Sequence, residues 1–451
     1  MNSPRRILAI LLLALTSPGL LMSWIGSPIS AQEPPSAGAT PPVPQEPTAP
    51  DRPDILFIVI DDASYEDFEE LDLPVYRALL SKARLYSNFY VSPLCSPSRY
   101  QMQFGRYPHR ALIGEALKPH KDPGVPLADI SIAEYLAAHG YATGLFGKWH
   151  LSGIGEPQAA SEAARLQGYQ TWQAGNSSNL TDHYNWPRID DGKVSVCAEY
   201  STLAVNGAFG SWWAKTAGPR FASVCYFAPH DPFQNAPPEL DPSYTESKNP
   251  RRRFESALRG VDAAIGRILD QVDLSRTFVF LLSDNGTPAN VRPAKDRSMG
   301  YKGSVYQGGI HVPLLVLGPG ITAGTDRSLV QASDLPRTAI QLANLPLPTV
   351  GFEDSIDFSA SFDGSQPGPR PWAFLQRFGP AGPAPELELH EWAVIRSDGY
   401  KLLWDQMGSG GVHELYFLPT DPFERKRLAE AEVTSALSGI KQSLLVAPWP
   451  Y

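Results

Sequence analysis

The sequence predicts an α/β protein. A large domain with a mixed, mainly parallel sheet flanked by helices is followed by a small C-terminal domain with an antiparallel sheet and a helix. Three observations predict this. Continuous apolar, β-rich runs recur at 54–60, 141–146, 221–227, 277–282 and 312–317. Unbroken runs, rather than alternating ones, suit strands buried on both faces. Helical patterns lie between these runs, as strand–helix alternation requires. Beyond residue 366 the runs become short and turn-separated, which is an antiparallel pattern.

The 451 residues are 43% hydrophobic and 19% charged, a globular balance with room for a large core. A net charge of −9 argues against a nucleic-acid partner, which would call for a basic face. It does not argue against a small anionic substrate, because a basic site can sit in an acidic protein.

In chain order, Arg5-Arg6, the apolar run Ile7–Leu15 and the small residues Ser30-Ala31 read as a signal peptide over 1–31. Cleavage near Ala31 would leave a secreted or periplasmic chain with no membrane span. An uncleaved anchor would share the apolar character that continues through Trp24-Ile25, but Pro18 and Gly19 interrupt it. Residues 32–53 are rich in Pro, Ala and Glu and read as an extended linker. The catalytic domain is expected over 54–366 and the small one over 367–451.

Asp54–Ile60 is the first strand, and it ends in Asp61-Asp62. Ligands of open α/β sheets gather beyond such carboxyl ends. An Asp-Asp there is also a common helix N-cap or solvated turn. Next comes Cys95-Ser96-Pro97-Ser98-Arg99. Ser96 is a candidate N-cap and Pro97 suits the first helical position. Cys95 would then sit at the positive end of a helix dipole, a place that lowers a thiol pKa and favours an anion. A buried cysteine beside a helix is the plainer alternative.

Ser131–Glu134 is a capping box, Gly140 closes that helix, and the strand after it delivers Gly147-Lys148-Trp149-His150. The run Phe221–Phe227 delivers His230, and residues 252–272 form an amphipathic helix. Thr277–Leu282 delivers Asp284-Asn285, and a loop carrying Lys302 leads into Val312–Leu317. Ser397-Asp398-Gly399 is a hairpin turn between two of the four late β-rich runs, and a polar helix is expected from about Glu424. Cys197 and Cys225 can form a disulfide or stay free, and the apolar run around Cys225 favours a buried thiol.

Two residue sets therefore meet at the strand ends. Asp61, Asp62, Asp284 and Asn285 are hard oxygen donors suited to Ca²⁺ or Mg²⁺. Arg99, Lys148, His150, His230 and Lys302 form a basic set. Around a divalent cation, these would hold a tetrahedral oxyanion and protonate a leaving oxygen. Singly, each lysine reads equally as a solvated charge and each histidine as a satisfied loop residue.

These segments together resemble the formylglycine-dependent sulfatases of the alkaline-phosphatase-like superfamily. Ile58–Asp62, Cys95–Arg99, Gly140–Leu151 (GYATGLFGKWHL), Ala228–Phe233 (APHDPF), Ser283–Gly286 (SDNG), Tyr301–Pro313 (YKGSVYQGGIHVP) and Glu414–Glu424 (ELYFLPTDPFE) occur in the family's order. The resemblance spans roughly 54–429 and implies a sulfuric ester hydrolase. Cys95 would become formylglycine (3-oxoalanine), made by a formylglycine-generating enzyme. Asp61, Asp62, Asp284, Asn285 and modified Cys95 would bind the metal. Arg99 and Lys148 would hold the aldehyde hydrate, while His150, His230 and Lys302, with Lys148, would bind sulfate and help the alcohol leave. A hydrate hydroxyl would attack sulfur, and elimination of sulfate would regenerate the aldehyde. The substrate would be a sulfated small molecule or a sulfated glycan.

The chain departs from the family pattern in places. Gln103-Phe104-Gly105-Arg106 replaces a Leu-Thr-Gly-Arg-like segment that helps the modifying enzyme. Gln307 and His311 stand where an acid and an arginine are common. His109 and the cluster His183-Tyr184-Asn185-Trp186 are candidates for shaping substrate recognition, or ordinary loop residues. The competing activities are hydrolysis of phosphonate or phosphate mono- or diesters by the same modified cysteine, and a catalytically inactive binding protein.

Overall fold

A computed structural model describes residues 52–118, 121–153, 157–379, 388–405, 413–429, 431–432 and 434–435. The signal peptide and all but the end of the linker lie outside the described residues, as does the chain end from 436. Among the described residues no helix is long and apolar enough to cross a membrane.

Ten strands form one sheet: β1 (Asp54–Ile60), β2 (Arg84–Tyr90), β3 (Ala142–Lys148), β4 (Thr171–Asn176), β5 (Trp186–Asp190), β6 (Lys193–Cys197), β7 (Arg220–Cys225), β8 (Thr277–Ser283), β9 (Leu314–Leu317) and β10 (Gly324–Gln331). Their spatial order is β10-β2-β9-β8-β1-β7-β3-β4-β5-β6. The centre is parallel: β8, β1, β7, β3 and β4 run together. β9 runs against both its neighbours, and the β5–β6 hairpin adds an antiparallel edge.

β1 explains the layering. Its seven residues are all buried, and alternate side chains enter different cores. Ile55, Phe57 and Val59 pack with Phe221, Phe280, Tyr169 and Trp149 on one face. Leu56, Ile58 and Ile60 pack with Phe254, Val261 and Ile265 on the other. A strand that is apolar on both faces needs a cover on both, and the helices supply it. The Pro250–Leu269 helix is one such cover. Asn249 caps it by accepting from the Arg252 N–H, Pro250 takes the first position, and Phe254, Leu258, Val261, Ile265 and Ile268 point inward. The Ile132–Ala138 helix starts as expected, with Ser131 accepting from the Glu134 N–H.

A second, antiparallel sheet has the order β11 (Trp372–Gly379), β12 (Glu388–Arg396), β13 (Tyr400–Asp405), β14 (His413–Phe417). Gly399, at φ +92°, makes the turn between β12 and β13. Leu375 and Ile395 of this sheet pack on Tyr90, Ile310 and Leu329. Ala393, Leu403 and Tyr416 close over Val305.

One expectation changes, and the reading of Cys225 as a buried free thiol holds. Glu424 does not open the late helix, whose described residues are 431–432 and 434–435: its φ is +51°, and its buried carboxylate lies 2.5 Å from the ammonium of Lys401. A burial partner, not helix propensity, fixes that residue. All three cysteines are free, so Cys197 and Cys225 do not pair. They lie on β6 and β7, four strand positions apart, on the order of 19 Å in a sheet, well beyond disulfide reach.

Candidate active site

Six segments converge at the carboxyl ends of the central strands: those after β1, β3, β7 and β8, the start of the Cys95 helix and the loop of Lys302. From β1, Asp61 and Asp62 emerge fully buried. Asp62 is held at φ +74° while its N–H donates to Asp284 Oδ1 at 3.2 Å, and the next N–H, of Ala63, donates to Ser283 Oγ. β8 and β1 thus lock their own ends together. β3 delivers Lys148 as its last residue. Gly147 just before it has φ +101°, and a Cβ there would lie 2.0 Å from the Cys225 carbonyl oxygen, so only glycine fits.

Cys95 opens the Cys95–Phe104 helix, but its cap differs from the sequence expectation. Leu94 occupies the N-cap position, and no side chain caps it. Ser96 lies inside the first turn instead. Its hydroxyl donates to the His150 carbonyl at 2.8 Å and accepts from the Leu117 N–H at 2.9 Å. A buried hydroxyl between two loops gains more from them than from its own helix end.

The charged groups pair across the site. Lys148 Nζ donates to Asp61 Oδ2 at 2.5 Å, and Lys302 Nζ to Asp62 Oδ2 at 2.8 Å. Arg99 donates through Nε and Nη2 to Asp284 Oδ2, at 3.0 and 2.8 Å, and through Nη1 to the Lys148 carbonyl. His230 Nε2 lies 3.6 Å from Asp62 Oδ2. Asn285 Nδ2 donates to Asp62 Oδ1 at 2.6 Å. Cys95 Sγ is 3.6 Å from Asp61 Oδ1 and 3.9 Å from Asp62 Oδ1. His150, at φ +57°, has Nε2 3.2 Å from the Leu117 carbonyl and a buried Nδ1 with no protein partner. Nine of the ten residues singled out for chemistry in the sequence are therefore within one connected network, and the His150 side chain is held instead by the Leu117 carbonyl.

The electrostatics follow from burial and pairing. Burial alone would raise both strand-end carboxyls of β1. Lys148 and His230 outweigh it at Asp61, and Lys302 and His230 at Asp62, so both sit below the usual carboxylate range. Burial, then the cations Lys148 and Arg99, hold His150 well below its usual value and keep it neutral. For Cys95 the sequence expectation reverses. Burial pushes the thiol up strongly, and Lys148 and Lys302 do not compensate. Desolvation of a fully enclosed sulfur exceeds what the first helical turn offers.

The residues fit a hard divalent cation. Ligand atoms of Asp61, Asp62, Cys95 and His230 lie within 4.8 Å of one another. Asn285 Oδ1 is a buried acceptor with no donor, the kind of orphan a cation satisfies. His230, read from sequence with the sulfate-binding set, also stands beside the carboxylates.

The recognition candidates separate. His109 is buried, with Nδ1 on Gln376 Nε2 at the second sheet. His183 is buried, with Nε2 3.1 Å from the His230 carbonyl and Nδ1 2.8 Å from Ser201 Oγ. Tyr184 is exposed and donates to the Asn235 carbonyl, whereas Trp186 is buried and donates to the Glu199 carbonyl. His311 stacks on Tyr65 and bonds the Ser87 carbonyl, and Gln307 bonds Tyr90. Gln103 accepts from Tyr169 inside the core. The roles of Ser283 and the Leu117 backbone were not visible in sequence, because neither carries a distinctive chemistry or spacing.

Comparison with known proteins gives concordant matches. The family model described as Sulfatase matches residues 53–345. Human arylsulfatase A is 28% identical over 397 residues, covering 79% of this chain and 76% of that protein. The crystal structure of Ps i-CgsB in complex with k-i-k-neocarrahexaose superposes with a TM-score of 0.75 at 22% identity, covering 87% of this chain and 92% of the other. The structure of BT4656 in complex with its substrate D-glucosamine-2-N,6-O-disulfate gives a TM-score of 0.68 at 18% identity, over 87% and 97% of the two chains.

Proposed function

The chain belongs to the sulfatase family and is a sulfuric ester hydrolase, and on that premise we propose that it acts through a formylglycine made from Cys95 beside a bound Ca²⁺ or Mg²⁺. One observation carries this reading: three buried carboxylates and three buried or near-buried cations surround Cys95 at the first turn of its helix. Asp61, Asp62, Asp284 and the free oxygen of Asn285 would hold the cation, which would supply Lewis-acid stabilisation of sulfate oxygens. The formylglycine hydrate would supply two hydroxyls on one carbon, so that one attacks sulfur and the other lets sulfate be expelled.

The chain's own side chains divide the remaining work. Arg99 and Lys148, both buried, would orient the modified residue. Lys302 and His230, the more exposed members, meet the sulfate and the departing oxygen. His230 Nδ1 lies 2.7 Å from the Asp231 carbonyl, which leaves Nε2 facing the site to move a proton. Neutral His150 has its one N–H on the Leu117 carbonyl, which leaves the buried Nδ1 as an acceptor, suited to a hydroxyl of the hydrate rather than to a sulfate oxygen.

The likeness to BT4656, described with a disulfated glucosamine substrate, supports a sulfated glycan or sugar as substrate. The order of basic, apolar and small residues over 1–31 supports export and cleavage near Ala31. The test is protein from a host able to modify the site. The peptide containing Cys95 should show the thiol-to-aldehyde mass loss. Aryl sulfate should be turned over faster than aryl phosphonate, followed by a panel of sulfated sugars. Full activity with an intact thiol overturns the formylglycine reading. Faster phosphonate turnover overturns the choice of ester.

A further inference from the structure

Lys302 stands on an irregular loop, not on a strand, yet its ammonium must be held against Asp62. The loop's backbone shows how. On the side of the large sheet, Lys302 N–H donates to the Thr287 carbonyl and Gly303 N–H to the Pro93 carbonyl. On the other side every anchor comes from the second sheet or the segment after it. Arg377 Nη1 on β11 donates to the Gly303 carbonyl at 2.8 Å. Glu391 Oε2 on β12 accepts the Val305 N–H at 2.8 Å. Glu424 Oε2 accepts the Gln307 N–H at 2.7 Å, with Lys401 of β13 beside its other oxygen.

Alternate backbone groups of one short loop are thus satisfied by charged side chains of a separate sheet. Val305 itself is fully buried under Ala393, Leu403 and Tyr416. Buried backbone N–H groups need partners, and here no strand or helix of the loop's own provides them. Arg377 does more. Its Nε donates to Glu115 at 2.9 Å, two residues before Leu117, whose carbonyl meets His150 Nε2 and whose N–H meets Ser96. One guanidinium therefore spans the loop of Lys302 and the segment that supports His150.

We propose that Glu391 and Arg377 are positioning residues for Lys302, fixing the 303–305 backbone so that the ammonium meets the sulfate at the right place. The small sheet then takes part in catalysis rather than only covering the large one. The proposal rests on the reading above that Lys302 contacts the sulfate. Displacement of a sulfate-binding group by about an ångström costs as much as a hundredfold in rate.

The test is a double-mutant cycle with aryl sulfate turnover and thermal unfolding as readouts. Glu391→Ala and Arg377→Met should each lower kcat by about tenfold or more, with KM changing less. Glu391→Gln, whose amide oxygen still accepts the Val305 N–H, should recover most of that loss. On a Lys302→Ala background, Glu391→Ala should add no further loss, because both act through one group. Losses that multiply in the double variant, or a kcat for Glu391→Ala within about twofold of wild type, overturn the proposal. If Glu391→Ala does not fold, the half-exposed Arg377→Met carries the same cycle. Wild-type activity in Lys302→Ala alone removes the reading of Lys302 itself, and is thereby told apart from failure of the positioning claim.

Discussion

Lys148→Met isolates the tightest ion pair of the site. Methionine keeps all but the last atom of the side chain and removes the ammonium. Lys148 and Asp61 are both fully buried, with Nζ and Oδ2 2.5 Å apart. At that separation and an effective dielectric of about 20, the attraction is roughly 6–7 kcal/mol before desolvation. Removing one member of a buried pair costs about 3–5 kcal/mol, because the remaining charge keeps its desolvation penalty. Unfolding entropy of about 2.1 cal/mol/K per residue over roughly 400 residues converts about 4 kcal/mol into a Tm loss of about 5 °C.

The loss should depend on pH. Without Lys148, burial is no longer offset at Asp61, so its pKa rises and the carboxyl can protonate. The deficit relative to wild type should therefore grow as pH rises from 5 to 8, on the order of these values. Added Ca²⁺ should narrow the gap only as far as the variant, whose Asp61 has lost its lysine, binds it more tightly than wild type, each tenfold in Kd being worth about 1.4 kcal/mol. The assay is calorimetry in chelator and in Ca²⁺ at both pH values. A variant that melts with wild type in chelator at pH 8 would refute the argument that the pair holds the site together.

Three further outcomes are expected. Cys95→Ser should leave the fold intact, at a cost of about 1 kcal/mol or less; it should stop after at most one turnover as a sulfated serine, visible by intact mass. Continued turnover without any aldehyde in the variant would contradict the need for a second hydroxyl. Exhaustive chelation should abolish turnover, and Asp284→Asn should weaken retention of Ca²⁺ or Mg²⁺ while leaving Arg99 without its anionic partner; full activity with no metal by elemental analysis would end the metal reading. His183 is pushed by burial to about 4, so its contribution is present above its ordinary 6.5 and is lost as pH falls through about 4. A shift of about 2.5 units is worth about 3 kcal/mol. His183→Gln should flatten acid unfolding between those values, and an unchanged stability–pH curve would show that His183 is not the group responsible.

Much of the site was legible because strand ends can be read from apolar runs. Five unbroken runs delivered Asp61-Asp62, Lys148, His230, Asp284 and the approach from Lys302, and each run has a strand within it or nearly so. The strands not foreseen are those without such runs. β2 is mixed (RLYSNFY), and β10 reads as polar over its first half (GTDRSLVQ). Edge and hairpin strands such as β6, four of whose five residues are exposed, carry no burial signal at all. The thiol of Cys95 was misjudged because helix position is a local property and desolvation is not. Ser96 was misjudged for the same reason: its partners lie 21 and 54 residues away. The link from Glu391 to Val305 spans 86 residues, and no motif spacing encodes such a contact.

The charges of the site explain how one pocket tolerates both a cation and an anion. Asp61, Asp62 and Asp284 face Lys148, Lys302 and Arg99 in three pairs, so the protein contribution is near neutral. Burial keeps His150 uncharged and would keep an unmodified Cys95 uncharged. With His230 protonated to give its proton, a divalent cation and a sulfate ester monoanion would leave two net positive charges at the buried site. As the ester bond breaks, negative charge grows on the departing oxygen, and the surplus is placed to meet it. The pocket is thus better matched to the state with the extra negative charge than to the bound ester, which is the condition for accelerating the step rather than only binding the substrate. The open side carries the two groups nearest solvent, Lys302 and His230. That is where the alcohol must leave, and a proton from His230 there would neutralise the departing oxygen without disturbing the three pairs below.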